Sequence, residues 1–314
     1  IYMTINHVLI LISEPKSIFL EILFKYFNSS KHRLVNKKIT LVGNLNLIQN
    51  EAKTLNFKKK FTKVLNLKDA KKNQINVINI ELNKKNSSTY ISKGFYQSLS
   101  ILKENKDTIL FNGPVNKKTF LKKKYLGVTE YLANQTNSKY PVMLIYNDKI
   151  SVSPITTHLP IKHVAKNINK KKIIQNIDVI NNFYQTKLKK KPKIAILGLN
   201  PHCETIEIKS EEDKEIIPAV KVLKNKKIDV YGPFSADTFF LKKNINKFDV
   251  VVGMYHDQVL TPLKTLFNFN AINITLGLPF IRVSPDHGPN VEMYGKKKSD
   301  PSSIFCAMKF FNII

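Results

Sequence analysis

Apolar runs of strand length alternate along this chain with longer stretches in which apolar residues return every three or four positions. "HVLILIS" precedes "KSIFLEILFKYFN", and "KKITLVGN" precedes "NLIQNEAKTLNF". The order predicted is strand, helix, strand, helix. It resumes with the apolar runs "DTILFNGPVN", "YPVMLIYND", "KPKIAILGLNPH", "IDVYGPFS", "KFDVVVGMYHDQ" and "NAINITLGLPFIRVS". This alternation predicts an α/β fold with a largely parallel sheet, helices on both faces and a ligand site at the carboxyl ends of the strands. Several runs end in polar punctuation: Gly113-Pro114-Val115-Asn116-Lys117, Asn200-Pro201-His202, Gly232-Pro233 and His256-Asp257-Gln258. Four loops are therefore expected at one rim. No repeat period is visible, and the lysine- and asparagine-rich stretches around 58–86 and 166–191 read as low complexity, the second near a domain boundary.

The 314 residues suit two domains or one large α/β domain, and the 43% hydrophobic and 24% charged fractions are those of a folded globular chain. A net charge of +28 raises the question of nucleic acid or an anionic membrane. The excess is nearly all lysine in short scattered runs, while arginine, which suits bidentate base and phosphate contacts, is almost absent. Solvated lysine faces are the expectation, with nucleic acid an unlikely partner. Lysine, asparagine, isoleucine and phenylalanine all have A/T-rich codons, so a biased genome accounts for the set. Two cysteines, Cys203 and Cys306, with no CxxC spacing imply free thiols in a reducing compartment, which the cytoplasm satisfies. The apolar runs near the N-terminus are broken by Glu14, Lys16 and Glu21 and are too brief for a membrane span.

Three histidines stand at or near the ends of apolar segments: His158 in "TTHLP", His202 in "LGLNPHCE" and His256 in "MYHDQ". Neutral imidazoles are common ligands of Zn²⁺-like ions, and three of them leave coordination positions open for substrate. Taken singly, each reads more readily as a capped or hydrogen-bonded loop histidine; their shared setting favours a metal. Lys264, Asn273 and Arg282, nine residues apart, suit a phosphate dianion if they converge, with Arg282 offering a bidentate fork and Lys264 a point charge. The alternative is a snorkelling lysine and a surface arginine paired with a carboxylate. Asp237 in "GPFSADTFF" and Asp257 beside His256 are candidates to orient an imidazole or to act as acid or base, although Asp237 also reads as the N-cap of "TFFLKK". No GxGxxG, GxxxxGK[ST] or GxSxG occurs, so a standard dinucleotide fingerprint, a P-loop and a nucleophile elbow are all excluded.

Together these motifs resemble the 4-hydroxythreonine-4-phosphate dehydrogenase family of pyridoxal phosphate biosynthesis. The resemblance spans about residues 8–308: "SEPKSIFLEIL" looks like a worn form of the family's N-terminal glycine-rich segment, and "FNGPVNK", "GVTEYLANQT", "TTHLPI", "LGLNPH", "GPFSADTFF", "MYHDQVLTPLK" and "NITLGLPFIRVSPDHG" follow in the family's order. It implies a two-domain fold like isocitrate and isopropylmalate dehydrogenases, with the active-site cleft between domains of about 1–132 plus 285–314 and 133–284. That fold binds NAD without the dinucleotide fingerprint. It further implies a divalent metal (Zn, Mg or Co) on His158, His202 and His256, a phosphorylated hydroxy amino acid held by Thr129, Lys264, Asn273 and Arg282, NAD or NADP as cofactor, and a homodimer whose metal sites draw on both chains. The expected reaction is oxidation at C3 of 4-phosphooxy-L-threonine and decarboxylation to 3-amino-2-oxopropyl phosphate. The chain also departs from the pattern. Val128 stands where the family commonly has histidine, glycines are missing around Lys16, Ser17 and Phe19, and "CETIEIKSEED" follows His202 in place of a glycine-rich turn. These departures leave open a related dehydrogenase of another 3-hydroxy acid.

Overall fold

The computed structural model describes residues 4–29, 36–82, 87–121, 124–204 and 209–314. Residues 205–208 of the "CETIEIKSEED" segment therefore lie outside the described residues. The chain forms two compact units, Ile1–Tyr131 with Phe269–Ile272 and Leu278–Ile314, and Leu132–Asn268 with Asn273–Gly277.

In the first unit, β1 (His7–Leu11), α1 (Phe19–Asn28), β2 (Lys38–Gly43) and α2 (Leu45–Thr54) realise the alternation seen at the start of the sequence. They are followed by β3 (Phe61–Lys63), β4 (Ile75–Asn79), α3 (Ser87–Glu104), β5 (Thr108–Asn112), α4 (Lys117–Phe120) and α5 (Val128–Gln135), the last of which runs on into the second unit. All five residues of β1 are buried, as befits a central strand covered on both faces. It pairs in parallel with β2 on one side and β5 on the other, and β4 and β3 extend the sheet beyond β2 in parallel. β4 lies in the stretch 58–86, whose composition is that of a low-complexity segment. It contains Asn76, a wholly buried residue inside an apolar strand; its Nδ2 donates to the Ile39 carbonyl at 2.8 Å and its Oδ1 accepts from Lys71 N–H at 3.0 Å, so the polar group is satisfied.

The second unit carries β6 (Val142–Tyr146), β7 (Ser151–Thr156), α6 (Lys170–Lys187), β8 (Ile194–Leu197), α7 (Ile217–Asn225), β9 (Val230–Phe234), α8 (Ala236–Phe239), α9 (Lys242–Ile245), β10 (Val250–Tyr255), α10 (His256–Phe267) and β11 (Ile272–Leu276), whose first residue is counted with the other unit. The stretch 166–191, equally rich in lysine and asparagine and expected near a domain boundary, is mostly the 18-residue helix α6 and lies inside this unit. Asn169 caps it, accepting from Lys172 N–H at 2.9 Å, and Ile173, Ile177, Ile180 and Tyr184 recur at helical spacing as its buried stripe while Lys170 and Lys171 face water.

The strands of this unit set the geometry of its rim. β10 lies between β7 and β8 and runs parallel to both, with Val252 opposite Ser153 and Ile196, while β9 continues beyond β8 in parallel and β6 joins β7 antiparallel. The carboxyl ends of β7, β10 and β8 therefore open on the same side. The chain finally returns to the first unit with β12 (Arg282–Pro285), parallel to β5, and α11 (Ser302–Ile313).

Candidate functional site

The three histidines emerge from three adjacent parallel strands. His158 follows β7 by two residues, His256 directly follows β10, and His202 lies in the loop after β8. The rings of His158 and His256 stand 6.0 Å apart between centroids, inclined by 37°. His256 Nδ1 is 2.6 Å from Asp257 Oδ1. A carboxylate only accepts, so the ring donates from Nδ1 and its lone pair is at Nε2, the atom suited to a cation. Asp257 therefore fixes a tautomer.

His202 is set apart from that pair. Its side chain is 75% exposed and its Nδ1 lies 4.0 Å from Asp237 Oδ2. Asp237 is not the helix cap considered from the sequence; Ser235 takes that position and Asp237 sits in the first turn of α8. The Ser235 hydroxyl, donating to Asp237 Oδ1 at 2.6 Å, holds this carboxyl below its usual range against an opposing desolvation, with Thr238 and His202 adding lesser contributions to the lowering. His202 and Cys203 both adopt left-handed backbone, at φ 56° and 62°. Side chains at such positions cost about 1–3 kcal/mol each and persist only where surroundings enforce them. Among the described residues, no three His, Cys, Asp or Glu side chains of one chain gather to hold a metal ion. One chain thus offers an imidazole pair and a separate third imidazole, a donor set chemically suited to a divalent cation but incomplete by itself.

The candidate phosphate ligands divide between the units. In the second, Lys264 is half-buried on α10, the helix that begins with His256, and Asn273 is half-buried on β11. Asn273 Oδ1 is buried without a hydrogen-bond partner, an orphaned acceptor of the kind a ligand donor satisfies. In the first unit, Thr129 and the adjacent Val128 open α5, and Arg282 opens β12. Arg282 is only 3% exposed, and its Nε donates to Asn112 Oδ1 at 2.6 Å. Burial lowers its pKa to about 10, with Glu130 opposing the shift, so the guanidinium stays charged at neutral pH. It is not the surface arginine of the alternative reading.

Sequence reasoning gave no role to several polar side chains that hold these groups. Asn112 fixes Arg282. Thr156 Oγ1 donates to the Met254 carbonyl at 2.7 Å, Met254 N–H donates to Gln258 Oε1 at 2.7 Å, and Gln258 Nε2 donates to the Gly198 carbonyl at 2.7 Å. Beyond Gly198, the buried Glu212 accepts from Leu199 N–H at 2.7 Å and Asn200 N–H at 2.8 Å through Oε1, and from Asn200 Nδ2 at 2.8 Å through Oε2. The sequence carried a signal for one of them: Asn112 is a polar residue that closes the buried run Ile109–Phe111 of β5, whereas Thr156 ends β7, in which Ser151 and Ser153 are polar as well.

By architecture the chain is of the isocitrate dehydrogenase-like α/β class: the isocitrate dehydrogenase of Methylococcus capsulatus superposes with a TM-score of 0.54 over 97% of this chain and 84% of that one, at an identity of 11% that speaks for fold alone. More specifically, the chain belongs to the family described as pyridoxal phosphate biosynthetic protein PdxA, which matches residues 35–311. The 4-hydroxythreonine-4-phosphate dehydrogenase of Sulfurihydrogenibium is 36% identical over 311 residues, 96% of this chain and 95% of the relative. A crystal structure of the Klebsiella pneumoniae 4-hydroxythreonine-4-phosphate dehydrogenase matches with a TM-score of 0.83 at 26% identity, covering 98% of each chain. The D-threonate 4-phosphate dehydrogenase of Pectobacterium atrosepticum is 39% identical over 181 residues, 57% of this chain and 56% of the relative.

Proposed function

We propose that this chain is a metal-dependent, NAD(P)-dependent 4-hydroxythreonine-4-phosphate dehydrogenase, active as a cytoplasmic homodimer. The observation that carries the reading is the emergence of His158, His256 and His202 from the carboxyl ends of three neighbouring parallel strands, within a chain 36% identical to a dehydrogenase of that name over 96% of its length. His158 and His256 of one chain, completed by the partner's His202, would hold the divalent ion. When bound, that ion supplies Lewis acidity to the substrate's C3 hydroxyl, as the nicotinamide supplies a hydride acceptor. Asp257 keeps the Nδ1 proton of His256 in place, so the ring presents a basic nitrogen throughout. Arg282 and Lys264 bind the phosphate and set the position of C3 through it, Asn273 Oδ1 accepts from a substrate donor, and Thr129 adds a hydroxyl contact. Loss of the C3 hydride and the hydroxyl proton leaves a β-keto acid, which sheds CO₂ and takes up a proton at C2 to give 3-amino-2-oxopropyl phosphate.

Val128 favours a second reading. An isopropyl group replaces the family's imidazole beside Thr129, which removes a polar contact to substrate and points to a related phosphorylated 3-hydroxy acid, such as the D-threonate 4-phosphate named for one relative. NADH formation should be followed with 4-phosphooxy-L-threonine and D-threonate 4-phosphate, each with Zn²⁺, Mg²⁺ or Co²⁺. Turnover of phosphooxythreonine, lost in His256→Ala while the circular dichroism is unchanged, is the expected outcome. Silence with every metal rejects the first assignment, and turnover of the threonate alone selects the second.

A further inference from the structure

We propose that Thr156, Gln258 and Glu212 are positioning residues that lock the three histidine-bearing strand ends into one block and thereby set metal affinity. The inference rests on the reading of His158, His202 and His256 as metal ligands. Its basis is a hydrogen-bond relay that runs without interruption across β7, β10 and β8. It begins at the end of β7, where the buried Thr156 donates to the Met254 carbonyl of β10, two residues before His158. It passes through the backbone of Met254, itself buried, to Gln258 on the first turn of α10, two residues after His256. From Gln258 it crosses to the Gly198 carbonyl at the end of β8, and Glu212 then takes up the next two amides on the way to His202.

Only glutamine suits the middle of this relay. Met254 N–H requires an acceptor and the Gly198 carbonyl requires a donor, so one amide group in one orientation serves both, whereas a carboxylate or a thioether serves at most one. Two glycines make room for it. A Cβ at Gly253 would lie 2.9 Å from Gln258 Oε1 and 2.5 Å from Val259 Cγ1. One at Gly198 would lie 2.6 Å from Cys203 Sγ and 3.1 Å from Glu212 Oε1. Glu212 also anchors the start of the loop that carries His202 and Cys203, through three hydrogen bonds to Leu199 and Asn200. The three imidazoles are thus carried on a single hydrogen-bonded unit, which fixes the backbone from which each reaches towards a cation.

The test is Co²⁺ titration of the metal-free, full-length protein, read in the visible d–d absorption, for wild type, Gln258→Met, Glu212→Gln, Thr156→Val and Thr156→Ser. The expectation is that the first three variants bind Co²⁺ at least roughly tenfold more weakly, the scale on which groups supporting metal ligands act. Thr156→Ser, which keeps the hydroxyl, should bind as wild type does. Hydrogen exchange at the Leu199 and Asn200 amides should quicken in Gln258→Met, a readout that requires no metal. Should Glu212→Gln fail to fold, Thr156→Val still decides, since it exchanges one hydroxyl for a methyl group, with Thr156→Ser as the variant that keeps the donor. Wild-type affinity in Gln258→Met and Thr156→Val overturns the positioning role alone. A wild-type protein that takes up no Co²⁺ overturns the metal-site reading itself, and this inference with it, before any variant is compared.

Discussion

Arg282 combines two demands that usually exclude each other, near-complete burial and a persistent positive charge. Asn112 meets the first by accepting from Nε and Glu130 the second through its field. Removing the side chain therefore has two effects. Arg282→Ala is expected to raise KM for the phosphorylated substrate at least tenfold, and also to lower the melting temperature by several degrees, because an orphaned buried acceptor such as Asn112 Oδ1 costs about 1–3 kcal/mol. Initial rates and thermal unfolding on the same preparation check both; unchanged values of either reject the corresponding role. The residue types of the site were legible in the sequence because His256, Lys264 and Arg282 interrupt or follow apolar runs at positions where a turn needs no such chemistry. Gln258 and Glu212 were not, for a physical reason: Gln258 meets the Gly198 carbonyl 60 residues away and Glu212 meets amides 12 and 13 residues back, and such hydrogen bonds leave no periodic trace.

At the scale of elements, β1 and β2 are joined by more than their ladder. His7 Nε2 lies 2.8 Å from Thr40 Oγ1 in the buried interior, and burial, reinforced by the Lys38 charge against that of Asp107, lowers its pKa from 6.5 to about 4. The folded state thus keeps the ring neutral where the unfolded chain already binds a proton. Stability from this group is complete above pH 6.5 and is lost as pH falls from there to about 4, in total on the order of 3 kcal/mol. Urea unfolding at pH 7, 5.5 and 4.5 should show this decline, and His7→Gln should flatten the part due to the ring; an equal slope in both proteins rejects it. Elements were recovered from the sequence where apolar residues kept a clear period, as in β1, α1 and β10. They were missed where asparagine intruded. In β4 the buried Asn76 disguised a strand, and in α6 the lysines and asparagines of the exposed face outnumbered the isoleucines that define the buried one.

For the whole molecule, the separation of His202 from the His158–His256 pair within one chain makes assembly part of the chemistry under the proposed function. Metal affinity should fall when the protein is diluted below its dimerisation constant, in step with the monomer fraction seen by sedimentation; affinity independent of concentration means that one chain suffices. The α/β class was legible because a parallel sheet imposes strand and helix in turn on the entire chain, and the three histidines stood out at the ends of its strands, whereas the distances between their rings are a property of tertiary geometry that leaves no mark in the sequence. No helix among the described residues is long and apolar enough to cross a membrane. The lysines that α6 turns outward, within a chain of net charge +28, bear on events before any contact is made. Phosphoryl groups, carboxylates and dinucleotides all arrive as anions, and an attractive field of this sign hastens their diffusional encounter until mobile ions damp it. Catalytic efficiency at low substrate should accordingly decline as potassium chloride is raised from 20 to 300 mM, with kcat at saturation much less affected.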